Sequence, residues 1–202
     1  MSYMSGTILR VADVDQFVSD WNDFAKQLHL DAGATSARIS QSVFSGEDAG
    51  TIGLACEWDT LDAAMEFPGK IRSNAQIAEM MKSTGVEVLR RSMMRVQATR
   101  GSLEGKYGSL VVGTGDPATP EQMEANADAF WGHLQGAGNG AVWAQAVAAG
   151  PMTGAYLTMS LSDSVDQLIA AGQKAFADPA IQQILASMNF QLTGRNLFKV
   201  LG

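Results

Sequence analysis

The sequence predicts an α+β fold in which two copies of one βαββαβ unit pack their antiparallel sheets into a single barrel, with helices outside. Three observations predict it. First, residues 37–98 slide onto 141–202 without a gap, and the overlap holds the identities Ala37/Ala141, Gln41/Gln145, Val43/Val147, Gly46/Gly150, Gly50/Gly154, Asp59/Asp163, Asp62/Asp166, Lys70/Lys174, Ile77/Ile181, Ser83/Ser187, Arg91/Arg195 and Val96/Val200. Second, turns, caps and apolar runs recur in the same order, and self-similarity at a fixed period marks a repeated structural unit. Third, strand positions of both parities are apolar, as in Leu54, Cys56 and Trp58 beside Gly53 and Ala55, or Tyr156 beside Leu157 and Met159. Strands apolar on both sides are buried on both sides. Helices can cover one face, and the sheet of the other copy is the simplest cover for the second.

The first copy opens with a short apolar run over 7–12, which predicts a strand. Residues 14–30 carry Phe17, Trp21, Phe24 and Leu28 at spacings of a helical stripe, so an amphipathic helix lays one face on the sheet. Gly33 follows it, free to take the left-handed cap conformation. Strands are predicted over 36–45 and 51–58, joined by a turn within 46–50. Asp59-Thr60-Leu61-Asp62 begins a second helix, with a small polar cap and a carboxylate suited to the helix dipole. Pro68-Gly69 is expected to break that helix, 73–83 to resume it with Ile77, Met80 and Met81 inward, and 86–97 to form the last strand.

The second copy repeats the order. Residues 109–112 read as its first strand. Thr119-Pro120-Glu121 starts a helix with Pro in the favourable first turn, and Met123, Ala127, Phe130 and Leu134 repeat the stripe. Paired strands are predicted over 141–149 and 153–161. Asp163-Ser164-Val165-Asp166 repeats the cap, Asp178-Pro179-Ala180 restarts the second helix, and 192–201 closes the copy. The copies occupy 1–98 and 107–202. Between them 99–106, bearing charges and glycines, reads as a linker.

Composition narrows the partners. Hydrophobic residues make up 46% of 202, enough for one large core or two small ones. The net charge is −7, without any Lys/Arg cluster, so nucleic acid and anionic membranes are poor partners. Cys56 is the only cysteine, which excludes an intrachain disulfide and a thiolate cage for zinc. Residues 1–6 lack the apolar core of a signal peptide, and no window is apolar for long enough to span a membrane, so a cytoplasmic protein is expected.

Each copy is the ferredoxin-like arrangement. With its element order, its split second helix and the Asp178-Pro179-Ala180 restart, the chain resembles the dimeric α/β barrel superfamily, with two modules fused in tandem. That superfamily includes antibiotic-biosynthesis-type and haem-degrading monooxygenases, muconolactone-isomerase-like and polyketide-cyclase-like proteins, chlorite dismutase relatives and stress-responsive barrels. Fold-level resemblance does not choose among these activities. Haem-binding members use a histidine from the second helix region, and 73–83 and 178–188 contain none. The haem-degrading members also imply an Asn on the first strand, which 7–12 and 109–112 lack. Haem is therefore disfavoured and no cofactor is expected.

Among candidate residues, His29 and His133 stand near the ends of the first helices, where the helix dipole alone favours them. With Tyr156 they are the available catalytic candidates. No metal site is expected: the histidines lie in different copies, and Asp59/Asp62 and Asp163/Asp166 read as caps. The repeated polar pairs Gln41/Gln145 and Arg91/Arg195, with Trp58 and Trp143, are the ligand-binding candidates, because a few polar groups at an apolar pocket are how small-molecule sites are built. An Arg there suits a carboxylate, phenolate or enolate. The copies differ at telling places: Trp58 aligns with Ser162, Cys56 with Ser160, Ile39 with Trp143 and Ile52 with Tyr156. Fusion lets one site degenerate while the other keeps a function. The leading expectation is a barrel binding a small apolar or aromatic molecule between sheet and helices. A cofactor-independent monooxygenase- or isomerase-like enzyme and a non-catalytic structural or stress-response barrel are the alternatives, and the chain is expected as a monomeric pseudo-dimer or a homodimer.

Overall fold

Each copy supplies four strands. In the computed structural model, which describes residues 2–202, the first contributes β1 (Tyr3–Arg10), β2 (Ser36–Phe44), β3 (Ile52–Trp58) and β4 (Glu87–Gly101). The second contributes β5 (Tyr107–Thr114), β6 (Gly140–Ala148), β7 (Tyr156–Ser162) and β8 (Gln191–Val200). All pairings are antiparallel, and the strands close into one barrel in the order β1-β3-β2-β8-β5-β7-β6-β4. The joins between copies are β2–β8, where Ser40 faces Val200, and β4–β6, where Val96 faces Ala144. Each copy thereby hides the sheet edges of the other, which removes the exposed edges an open four-stranded sheet would carry.

The helices lie outside. The first copy has α1 (Val14–Asp20), α2 (Lys26–Asp31), α3 (Leu61–Ser73) and α4 (Ala75–Ser83), and the second has α5 (Pro120–Leu134), α6 (Val165–Ala177) and α7 (Pro179–Ser187). Their starts are capped as the sequence predicts. Thr60 Oγ1 accepts from Ala63 N at 3.2 Å, Ser164 Oγ from Gln167 N at 3.3 Å, and Thr119 and Gln122 form a reciprocal capping box. Asp62 and Asp166 sit in first turns, where a carboxylate suits the helix dipole. In the hairpins, Gly46, Gly50, Gly150 and Gly154 all have φ between 57° and 91°, so the repeated glycines occupy left-handed positions that side chains disfavour.

Three cores result. Two lie between sheet and helices, one per copy. The third fills the barrel, with Met4, Met94, Val142, Ala144 and Ala146 buried against Ala55, Val96, Leu157 and Met159. This third core is the burial that strands apolar on both faces require.

Four details differ from the sequence expectations. β1 spans Tyr3–Arg10 rather than 7–12, because its ladder with β3 begins at Tyr3 opposite Trp58, and its counterpart β5 spans Tyr107–Thr114 rather than 109–112, its ladder with β7 beginning at Tyr107 opposite Ser162. α3 runs through Pro68 to Ser73. Proline fixes a helical φ and removes one hydrogen bond, a cost that this helix absorbs. The break comes instead at Asn74, whose extended backbone ends α3 and whose Oδ1 caps α4 through Gln76 N and Ile77 N. β4 continues to Gly101 in register with Gly140, so 99–101 of the stretch read as linker belong to the barrel.

The fourth difference is in the first helix, where a π-helical segment, Trp21–Ala25, separates α1 from α2. The wider turn inserts one residue, so the buried stripe becomes Phe17, Trp21, Ala25 and His29 instead of Phe17, Trp21, Phe24 and Leu28. Phe24 and Leu28 are left only half-buried.

Candidate functional site

The two copies treat the space between sheet and helices differently. In the first it is filled. Trp58 is fully buried, with its ring centroid 4.7 Å from that of Phe67; Phe67 lies 5.1 Å from His29, and His29 5.0 Å from Trp21. The indole of Trp58 donates from Nε1 to Ser5 Oγ at 2.9 Å. Cys56 is buried below, and burial pushes its thiol up to about 12, with nearby Arg38 opposing the shift and Glu57 adding to it. A thiol so protonated is a weak nucleophile. Iodoacetamide is therefore expected to leave Cys56 unmodified in the folded protein and to add one label after denaturation, read by intact mass.

His29 owes its burial to the π-helical insertion. Its Nδ1 donates to Ala25 O at 2.7 Å, and its pKa lies below the ordinary value because desolvation outweighs that hydrogen bond. It acts as a core residue, not as a charge at a helix end. A histidine with a lowered folded pKa binds its proton more readily when unfolded. Stability is therefore retained above about pH 6.5 and lost as pH falls below it, by at most about 1.4 kcal/mol per pH unit. Chemical denaturation from pH 7.5 to 5 is expected to show this slope, and His29→Leu to flatten it.

In the second copy smaller residues leave a cavity of about 90 Å³. Its floor is the helix-side face of β5, β6, β7 and β8, and α5, α6 and α7 form the roof. Where the first copy has Leu54, Cys56 and Trp58, the second has Thr158, Ser160 and Ser162. Trp143 and Tyr156 line the cavity, with Phe130, Phe176 and Phe190 supplying further aromatic wall.

One charged side chain reaches this apolar space. Arg195, on β8 opposite Val111, lies with its Cζ 5.7 Å from the Phe176 ring centroid, a cation–π arrangement. Gly172, in α6, gives it room: a Cβ there would sit 3.7 Å from Arg195 Nη2. Among the described residues Arg195 Nε is buried without a hydrogen-bond partner, and no carboxylate pairs with the guanidinium. Arg91, its counterpart, is exposed on β4. The position aligned with Phe176 is Arg72, so the first copy offers a like charge where the second offers a ring.

The other candidates disperse. Tyr156 lends its ring to the cavity, but its hydroxyl donates to Asp116 O at 2.9 Å and accepts from Ala118 N at 3.0 Å, pinning the loop before α5. Gln145 accepts from Arg95 Nη2 and donates to Gly154 O, both structural bonds at a barrel join. Gln41 belongs to β2, opposite Lys199, and lies outside the cavity. His133 Nε2 meets Asp178 Oδ2 at 3.3 Å, linking α5 to the cap of α7 beside Lys174 in a separate surface groove. Arg195, Trp143 and Tyr156 are thus the candidates brought together. Ser109, Thr158, Ser160 and Phe176 were missed; the swaps of Leu54 for Thr158 and of Arg72 for Phe176 were their signal in the sequence.

Two ferredoxin-like modules in one chain thus close eight strands into a single α/β barrel, with a cavity in the second module. No family model matches this sequence, and no curated protein does. Solved structures similar to it include a haem-binding protein from Thermus thermophilus, 12% identical, covering 98% of this chain and 90% of that one at a TM-score of 0.61. A mutant chlorite dismutase from Candidatus Nitrospira defluvii is 9% identical, with coverages of 98% and 91% and a TM-score of 0.58. An anthrone oxidase-like protein is 14% identical, with coverages of 98% and 91% and a TM-score of 0.53. At these identities the likeness is one of fold. No helix of the structure is long and apolar enough to cross a membrane.

Proposed function

We propose that this protein binds a small apolar molecule bearing an acidic group, held in the second copy's cavity by Arg195. The carrying observation is the guanidinium itself, turned into an aromatic-lined space with a buried Nε and no protein acid to neutralise it. A charge left without a partner in an apolar space is costly, and hydrogen bonds from the Nη groups, which unlike Nε are not closed off, recover that cost on an acidic ligand. At about 10–15 Å³ per water, a space of about 90 Å³ takes roughly six to nine non-hydrogen atoms, the size of one ring with a small acidic group. The first copy then acts as a filled partner that completes the barrel.

Binding without chemistry is favoured by the lining, which among the described residues contains no carboxylate, histidine or thiol to serve as acid, base or nucleophile. A haem iron would find only the Met123 thioether uncommitted there, and about 90 Å³ is far smaller than a porphyrin. Both histidines lie elsewhere, the Tyr156 hydroxyl is committed to two backbone groups, and Met188 Sδ accepts from Asn126.

Calorimetric titration with benzoate and its neutral isostere benzamide tests the assignment. A carboxylate preference of about tenfold or more is expected, from the usual strength of a charged hydrogen bond. Equal affinities, or no binding of either, would count against it.

A further inference from the structure

Opposite the guanidinium, the cavity floor carries three hydroxyls. Ser109 and Ser160 face each other across β5 and β7, and Thr158 lies two residues from Ser160 on the same side of the sheet. Ser109 is 5% exposed and Ser160 7%, and all three line the cavity. Among the described residues none of these side-chain hydroxyls makes a hydrogen bond, and none is among the fully buried unpaired atoms, so each oxygen opens to the cavity and is free to meet a ligand. The first copy shows what such a hydroxyl otherwise does: Ser5, at the place of Ser109, accepts from the Trp58 indole and donates to Cys56 O. With serine in place of Trp58, and hydroxyls in place of Leu54 and Cys56, the second copy has exchanged a filled wall for a polar one.

The ladder registers place this patch relative to the charge. Arg195, Val111, Thr158 and Trp143 form one row across four strands, and Ser109 with Ser160 belongs to the next. Neighbouring strands lie about 4.8 Å apart, so the backbones at Arg195 and Thr158 are roughly 10 Å apart. Val111 and the aromatic side chains separate the two polar regions.

Resting on the Arg195-anchored assignment above, we infer that the ligand is an oxygenated aromatic acid. Its acidic group meets Arg195, its ring lies over Val111, and a hydroxyl or keto oxygen at the far end meets the patch of Ser109, Thr158 and Ser160. Hydroxyls both donate and accept, so either oxygen type fits. An apolar acid would leave the patch unpaired and bind more weakly, because sites built to hydrogen-bond a substrate oxygen reject analogues lacking it.

The test compares benzoate with the 3- and 4-hydroxybenzoate isomers by calorimetry. At least one isomer is expected to bind about tenfold tighter than the parent. Thr158→Val, Ser160→Ala and Ser109→Ala, singly and together, are expected to erase that gain, the hydroxy acid losing affinity while the parent, no longer leaving hydroxyls unpaired, binds as tightly or tighter; melting curves check the fold. Isomers no tighter than the parent, or a gain that survives the triple substitution, would overturn the inference and leave the Arg195 anchor standing. If no acid binds at all, the anchor falls and the inference with it.

Discussion

Arg195→Leu is expected to weaken benzoate binding by about 10–100-fold and to abolish the preference for carboxylate over amide, with the fold intact. The magnitude follows from a charged hydrogen bond contributing about 1.5–3 kcal/mol, at tenfold per 1.4 kcal/mol. Among the described residues the guanidinium has no salt bridge, and its Nε is buried without a partner. Its removal therefore costs the folded protein little beyond the Phe176 contact, and leucine supplies apolar volume in its place. Calorimetry and a melting curve on the same sample separate the two effects. Unchanged affinity would remove Arg195 from the site, whereas Arg91→Leu, on the exposed counterpart, is the matched control and is expected to change neither quantity.

Trp58→Ser gives the largest expected loss of stability, about 3–5 kcal/mol, the range for removing a fully buried large aromatic. At about 2–4 °C per kcal/mol for a chain of this size, melting falls by roughly 6–20 °C. The substitution installs the residue that the second copy carries at Ser162, yet the surroundings differ. Ser162 Oγ donates to Ala137 O, whereas a serine at 58 would abandon the Phe67 ring and leave Ser5 Oγ without its indole donor. Scanning calorimetry reads the shift. A loss below about 1 kcal/mol would mean that Phe67 and His29 collapse into the space, so that the first copy's filling is no structural requirement.

Much of the architecture was legible because it is local or periodic. Short strands apolar on both faces, caps at Thr60, Ser164 and Asp178, and the paired glycines of the hairpins each depend on a few neighbouring residues, and repetition doubled every signal. The errors arose where one local rule competed with another. Pro68 looked like a break because an interior proline usually is one, but Asn74, with its side-chain cap, ended the helix instead. The π-helical turn at Trp21–Ala25 has no period of its own in the sequence, and it moved His29 from a helix surface into a core.

The candidate site was legible only in part. Arg195, Trp143 and Tyr156 were identifiable as polar or aromatic residues at strand positions, but so were Arg91, Gln41, Gln145 and Trp58, which play structural parts or stand exposed. Identity between copies marked Arg91 and Arg195 as equivalents, although one points to solvent and the other into a cavity. What separates them is the neighbour across space: Phe176 and Gly172 admit the guanidinium in one copy, and Arg72 and Pro68 take their places in the other.

By itself, then, the sequence determined the repeat, the element order and the closed barrel, because two-sided apolar strands in a duplicated unit leave few other ways to bury both faces. Only the tertiary structure decided which copy is hollow and which arginine enters it. Those outcomes depend on volumes and contacts summed over residues far apart in the chain, Trp58 with Ser5 and Phe67 on one side, Arg195 with Phe176 on the other, and no local pattern records such sums.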